Sequence, residues 1–330
     1  MTADDTSERT AALPAGPGDM RVPRVRRREL VRILSQAVRT PRGLTGLVLT
    51  SAVVAVAVIG PSVTPDDPNA YVTTPFAPPS SGHPLGGDSL GRDVFSRVLD
   101  GGWQLLLLPA LATALGVVLG AVLGIYAGYQ RGLPDTIVMR GVDVLLAFPQ
   151  LVFVLLLVSV AGASDALLVV AVGLSHAPQV ARVLRAVTLD VSERDFVRAV
   201  ELNGIPATRV MTGEILPNLT TPLLIETGLR MTYSIVIIAG LSFIGFGLPP
   251  PQPNWGTMIN ENRIGLTLNP WATMAPAALI ALLTIGLNTL IDAMSRVALG
   301  IVGRDSDSTL PAPPLVSSAP DSVIVPGGHA

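Results

Sequence analysis

The sequence predicts an all-α, polytopic integral membrane protein with six transmembrane helices, and three observations carry that prediction. Of its 330 residues, 49% are hydrophobic and only 14% are charged, whereas soluble domains carry about 25% charged residues. Six mainly apolar runs approach or exceed the roughly 20 residues needed to cross a bilayer: 43–61, 103–128, 142–162, 166–184, 229–248 and 271–294. Arginine falls mainly between alternate runs, as the retention of basic residues on the cytoplasmic side requires.

Taken in order, residues 1–42 read as a cytoplasmic tail. Residues 1–20 are polar and without apolar period, so they read as disordered. Arg21, Arg24, Arg26, Arg27, Arg28, Arg32, Arg39 and Arg42 then face a single acid, Glu29. A basic segment before an apolar run suggests a signal peptide, but its n-region would exceed forty residues, so the run at 43–61 is expected to stay as a membrane anchor. Residues 62–100 form an extracytoplasmic segment. Its end, GRDVFSRVLDG, places Val94, Phe95 and Val98 on one side and is expected to lie along the outer membrane surface. A core of five helices follows over 101–297. In its first helix Gly116, Gly120, Gly124 and Gly128 recur every four residues, a small-residue face for close packing within the chain or against a second subunit. The tail 298–330 is rich in Pro, Ser and Asp and reads as disordered. With 21–42 inside, 130–141, 185–228 and the C-terminus are inside too, holding Arg131, Arg140, Arg185, Arg194, Arg198, Arg209, Arg296 and Arg304. Arg92, Arg97 and Arg263 remain outside.

Composition also excludes functions. Cysteine is absent, so no disulfide, CxxC pair or thiolate metal site exists. Every basic residue is Arg, and a phosphate-cradling P-loop needs Lys, so the chain is no ATPase of that type. HExxH does not occur, and no nucleophile, base and metal constellation is visible. His83 falls in the extracytoplasmic segment and His329 in the tail, so no metal-ligand cluster is expected. A proton-coupled secondary transporter would need intramembrane acids and usually internal repeats; the span centres lack carboxylates and no inverted repeat is clear.

The stretch 192–218, SERDFVRAVELNGIPATRVMTGEILPN, stands apart. Ser192 and Asp195 form an S-x-x-D capping box that predicts a short helix. Gly204 ends it, and Leu216-Pro217 follow. The loop is longer than a connector needs and reads as a docking surface. Arg198 and Glu201 lie one turn apart. Phe196, Val200 and Ile205 offer an apolar ridge to a partner's groove; alternatively the loop is simply a solvated amphipathic segment.

This spacing resembles the EAA coupling loop of bacterial binding-protein-dependent ABC importers, in which E-A-A, three residues and Gly precede a hydrophobe and Leu-Pro. Arg198-Ala199-Val200 replaces Glu-Ala-Ala, as is usual in the peptide/nickel branch, while Gly204 and Leu216-Pro217 are kept. Further segments resemble the C-type permease of oligopeptide, dipeptide and nickel importers: His83–Asp88 with Gly91–Arg97, Ala127–Tyr129 with Met139–Asp143 and Phe148-Pro149, Leu241–Gly247 with Asn254–Gly256, and Asn288–Arg296. The resemblance covers about 40–300. Two departures are Pro206, from which a second coupling helix can only start at or after, and His176-Ala177-Pro178-Gln179, where an aromatic residue is common.

The resemblance implies a type I ABC importer permease fold in the bacterial cytoplasmic membrane, forming half of a pathway for dipeptides or oligopeptides, or for nickel or another small solute. It implies a second homologous permease, two ABC ATPase subunits, an extracytoplasmic solute-binding protein and membrane lipid as partners, without nucleic acid. No cofactor is bound by this chain; ATP and Mg²⁺ belong to the ATPases. Contact with them would be carried by Phe196, Arg198, Ala199, Val200, Glu201, Gly204, Ile205, Leu216 and Pro217.

Polar residues in or near spans are costly there and are candidate pathway or gate groups. His176 reads as a proton relay, a substrate contact or a hydrogen-bonded packing residue. Glu226 with Arg230, and Asn288 with Asp292 and Arg296, read as gates or as helix-end i,i+4 pairs; Arg140 and Asp143 admit the same two readings. The loop 249–270, with Pro249–Pro251 and Trp255, is an exterior mouth or a simple connector.

Overall fold

The computed structural model describes residues 28–247 and 251–299. The readings placed on 1–27 and 300–330, on Arg304 and His329, and on Pro249 and Pro250 lie outside the described residues. All regular elements described are helices. α1 (Arg28–Val38) leads into α2 (Pro41–Ile59), whose start follows from sequence. Pro41 takes the first helical position, where its missing N–H costs nothing, and the Thr40 hydroxyl accepts from the Gly43 amide at 3.0 Å. After an irregular stretch come α3 (Val94–Asp100), α4 (Trp103–Gln130), α5 (Gly132–Leu146), α6 (Gln150–Ala161) and α7 (Asp165–Ser192). Short helices α8 (Asp195–Leu202), α9 (Ala207–Val210) and α10 (Leu216–Asn218) precede α11 (Thr220–Leu241), α12 (Trp255–Asn262) and α13 (Trp271–Ala298).

The α4 glycines meet α7. A Cβ on Gly116 would stand 2.7 Å from the Gly173 carbonyl oxygen, and one on Gly120 would stand 2.7 Å from that of Ala177. For Gly124 the Ala181 oxygen would be 2.5 Å away, and for Gly128 the Arg185 oxygen 2.8 Å. All four are contacts that real side chains do not make, so only glycine permits this backbone approach. The matched numbers rise together, so α4 and α7 run parallel. The intervening chain must therefore return to the end where α4 began, and α5 with α6 does so, bent by 82°. Five helices are long and apolar enough to cross a membrane, and this bent pair makes the sixth passage.

The bend corrects the single span expected at 142–162. Pro149 locks its own φ and disfavours helix at Phe148, so α5 stops at Leu146 and α6 starts at Gln150. The other spans run longer than their apolar runs, α4 to Gln130, α7 to Ser192 and α13 to Ala298, while α11 starts at Thr220. A helix of 28 residues is about 42 Å long, against about 30 Å of hydrocarbon. α5 and α7 carry charges that pair across the two helices: Arg182 with Asp143 at 2.7 Å, and Arg185 with Asp135.

α11 lies antiparallel to α7, since Arg230 bonds Gln179 and Ser234 bonds His176. α2 lies antiparallel to α13, with Gly46 against Gly286 and Leu290 and with Gly286 against Thr50. The 192–218 segment and the start of α2 therefore share one end of the bundle with the finish of α13. The 60–102 segment and α12 share the other. One buried cluster joins Val53, Val98, Leu105, Val154, Leu168, Ile235, Trp255 and Leu283. A second, at the 192–218 end, joins Ile125, Leu184, Val197, Val210, Ile215 and Leu219.

The apolar side of GRDVFSRVLDG, expected to rest on the membrane surface, turns into the protein's own core. Val94 and Val98 are buried in the first cluster, and Asp93 caps α3 by accepting from the Ser96 amide at 2.8 Å. Nor is Trp255 part of an open mouth: its ring is fully buried, and Nε1 donates to the Val98 carbonyl at 2.8 Å.

The glycine seam yields a direct test. Gly124→Ala should lower the thermal stability of the detergent-solubilised protein by about 1–3 kcal/mol through overpacking. Gly141→Ala, whose Cβ would meet open space, should not. Thermal unfolding of both variants decides.

Candidate functional site

The 192–218 segment is built on its own core. The predicted capping box does not form, because α7 runs on through Ser192. The Ser192 hydroxyl donates to the Leu189 carbonyl and accepts from Arg131, and Arg194 caps α8 by backbone alone. Arg194–Asp190 at 2.8 Å and Arg131–Glu193 at 3.2 Å close the corner between α7 and α8. Val197 is fully buried, and Phe196, Val200 and Ile205 pack half-buried on the second cluster. The expected docking ridge is thus the inner face of the segment. α8 has only eight residues, and hydropathy alone does not say which of its apolar positions face inward.

The outward face carries Asp195, Arg198, Ala199, Glu201 and Leu202. Leu202 is 89% exposed, a large apolar side chain that the described residues leave uncovered, and it is absent from the sequence-based set. Its signal was the i,i+4 spacing from Arg198. Gly204 ends the turn at φ +73°, and a Cβ there would meet nothing within 4 Å. The backbone angle alone therefore requires glycine. α9 starts after Pro206, as its ring demands. The chain then widens into one π-helical turn, Met211–Ile215, before Leu216, which is exposed, and Pro217, which is half-buried.

Inside the bundle the structure gathers His176, Glu226 and Arg230 around the α7–α11 contact. His176 is fully buried. Its Nδ1 faces Gln150 Nε2 at 2.8 Å, its Nε2 lies 2.9 Å from Ser234 Oγ, and that hydroxyl is 3.0 Å from Thr113 Oγ1. An amide nitrogen only donates, so Nδ1 accepts and Nε2–H donates to Ser234. No acid joins this chain. Arg230 donates to Glu226 at 3.1 Å and to Gln179 at 2.8 Å, and its guanidinium lies 5.4 Å from the Tyr233 ring centre. Glu226 is thus a buried carboxylate in the first half of α11, and it is paired. Asp292 is not brought into this group; it bonds Arg296 at 3.3 Å on the exposed face of α13. Asp143 pairs with Arg182 on α7, not with Arg140.

At the opposite end the fold assembles a charged cluster that sequence reasoning passed over. Asp88, Arg92 and Arg97 are buried. Arg92 Nε donates to Asp88 at 2.6 Å and its Nη2 to Glu261 of α12 at 2.9 Å, while Arg97 donates to the same Glu261 oxygen at 3.2 Å. Asp88 Oδ1 also accepts the amides of Leu90 and Arg92. The available signal was the charges Asp88, Arg92, Asp93 and Arg97 gathered within ten residues; that Glu261 of α12 joins them is a matter of the fold. The same segment brings Asp66, His83 and Asp93 together with donor atoms within 4.8 Å of one another, where the sequence led to no expected metal-ligand cluster. Breaking a buried ion pair costs about 3–5 kcal/mol. Asp88→Asn should therefore destabilise the protein by roughly that amount, whereas the same change at exposed Asp292 should cost under about 1 kcal/mol; thermal unfolding measures both.

Comparison with known proteins follows this geometry. Residues 120–298 match the family model described as "Binding-protein-dependent transport system inner membrane component". The chain is 33% identical over 284 residues to a putative peptide transport system permease protein of Brucella suis, covering 86% of this chain and 96% of that one. It is 38% identical over 216 residues to a probable peptide ABC transporter permease protein of Sinorhizobium fredii, covering 66% and 74%. It is 34% identical over 216 residues to a glutathione transport system permease protein of Pectobacterium atrosepticum, covering 66% and 72%. With a helical bundle of membrane-length spans and this match over more than half its length, the chain belongs to the binding-protein-dependent transport system inner membrane components, the non-catalytic permease subunits of ABC transporters.

Proposed function

We propose that this chain forms half of the translocation pathway of an ATP-driven importer for dipeptides and oligopeptides. The relatives' names support the substrate class: two are called peptide permeases, and glutathione is itself a small peptide. A second homologous permease would complete the pathway. The apolar groove between α4 and α11, lined by Val118, Val122, Tyr126, Met211, Leu216 and Leu224, offers it a packing surface. An extracytoplasmic solute-binding protein would deliver peptide at the 60–102 end. Two ABC ATPase subunits, which hold the ATP and Mg²⁺, would dock at the 192–218 end, on the cytoplasmic side that the Arg distribution selects.

The observation that carries the coupling role is the two-sided build of 195–219. Its outer face presents Arg198, Glu201, Leu202 and the Gly204 turn. Its inner face is keyed by Val197, Val210, Ile215 and Leu219 into the ends of α4 and α7. A load applied to the outer face therefore reaches the glycine seam through close-packed side chains, which resist compression. ATP can drive transport only if its binding favours one pore state over the other, and this segment is placed to carry that difference. Phe196, Val200 and Ile205 act in this scheme as internal packing. His176 and the Glu226–Arg230 pair align α7 with α11; their recorded bonds leave no chain of acids for a proton path.

Leu202→Asp and Gly204→Arg test the reading in the reconstituted complex. Leu202 is exposed, so the folded permease should persist, while loss of a buried anchor at an interface costs at least about 2 kcal/mol, or roughly thirtyfold in affinity. Peptide-stimulated ATP hydrolysis and uptake should fall together. Wild-type hydrolysis and uptake in both variants would refute the coupling role.

A further inference from the structure

We infer that Asp66, His83 and Asp93 form a site for one divalent first-row transition-metal ion, of zinc type, that staples the segment between α2 and α3. His83 Nδ1 lies 3.3 Å from Asp93 Oδ1 and 3.6 Å from Asp66 Oδ2. One donor atom from each residue falls within 4.8 Å of the others. Neither His83 contact closes a hydrogen bond: His83 Nδ1 and Asp93 Oδ1 are both buried atoms without a partner. That is an unusual position for a carboxylate only 1% exposed, because buried polar atoms are almost always satisfied.

A central ion resolves it. Zinc holds nitrogen and carboxylate donors at about 2.0–2.2 Å in a tetrahedron, so neighbouring donors stand about 3.4 Å apart. The two observed separations bracket that value. One imidazole with two carboxylates suits zinc and its first-row neighbours, whereas magnesium and calcium favour all-oxygen sets. His83 and Asp66 keep side-chain exposures of 23% and 35%, which leaves a path for the ion and a fourth corner for water.

The donors are held in place by bonds that leave the site free. Asp93 Oδ2 accepts from the Ser96 amide at 2.8 Å and hydroxyl at 2.7 Å, so its other oxygen is fixed toward His83. The Ser96 hydroxyl accepts from the Asp66 amide at 3.2 Å, drawing Asp66 to the same place. Such outer bonds orient metal ligands. The three residues come from the two ends and the middle of a stretch, 63–93, that contains no helix. A loop of that length without regular structure is uncommon in a compact domain. An ion bridging it would fix the surface beside α12.

The test uses the full chain in detergent, with an affinity tag that binds no metal, stripped with chelator and titrated with Zn²⁺ in excess Mg²⁺. We expect one Zn²⁺ per chain by elemental analysis and a thermal midpoint that rises with zinc concentration, as binding to the native state requires. His83→Gln and Asp66→Asn should each weaken zinc binding by at least about tenfold and remove the zinc-dependent rise. His329→Gln should bind as the wild type. The Asp66 carboxylate accepts no hydrogen bond among the described residues, so Asp66→Asn decides the matter even if His83→Gln fails to fold. No stoichiometric zinc, or zinc binding retained in either folded variant, would overturn the site. Neither result depends on transport, so it stands apart from the importer reading.

Discussion

The close approach of α4 to α7 is the contact on which the rest of the bundle depends. Four glycines let two long helices meet backbone to backbone in parallel, and parallel neighbours in one chain need a return path between them. That need makes α5 and α6 a single passage despite the turn at Phe148-Pro149. The same seam places His176, whose Cβ would stand 2.8 Å from a Cβ on Gly116, where Gln150 of α6 and Ser234 of α11 can both reach it. In lipid, helices gain little by hiding apolar surface from one another. Shape fit and shared hydrogen bonds must hold the bundle; the α4–α7 seam supplies the first, and the bonds of His176 and Ser234 beside it tie in α6 and α11.

The two ends of the bundle are finished by different physics. At one end, short helices close over an apolar cluster and leave a mostly polar outer face on which Leu202 is the most exposed apolar side chain. At the other, a long irregular segment is held by buried charge: one glutamate from α12 serves two arginines that also share Asp88. A buried ionic cluster is a weak source of net stability, since desolvation offsets most of its attraction, but it tolerates few other arrangements. That intolerance suits a segment with no helix or sheet ladder to set its path.

A transporter coupled to an external motor needs a surface that a partner can grip and a stiff connection from there to the pathway. The 195–219 segment has both. Its π-helical turn and the open Gly204 turn are the places where its backbone departs from ordinary helix, and π turns inside helices are frequent at functional sites. His176, Glu226 and Arg230 find their hydrogen-bond partners within the chain, so they read as parts of the packing between α7 and α11.

The sequence by itself determined the all-α membrane class, the number of passages, the end of α8 at Gly204 and the start of α9 after Pro206. These follow from local rules: apolar run length, a dihedral only glycine adopts easily, and a ring that cannot donate. It also showed the glycine face of α4, but not that α7 covers it. Only the tertiary structure decided the directions of the faces. Phe196, Val200 and Ile205 turn inward because the ends of α4 and α7 offer them a core, and Leu202 turns outward because nothing does. α5 and α7 run past the apolar stretches where Asp135 meets Arg185 across two helices, a pairing hydropathy along one strand of sequence does not contain. Asp66, His83 and Asp93 met for the same reason. Residues 17 and 10 positions apart become neighbours only when a chain without regular structure is folded back on itself, and no periodicity records that path.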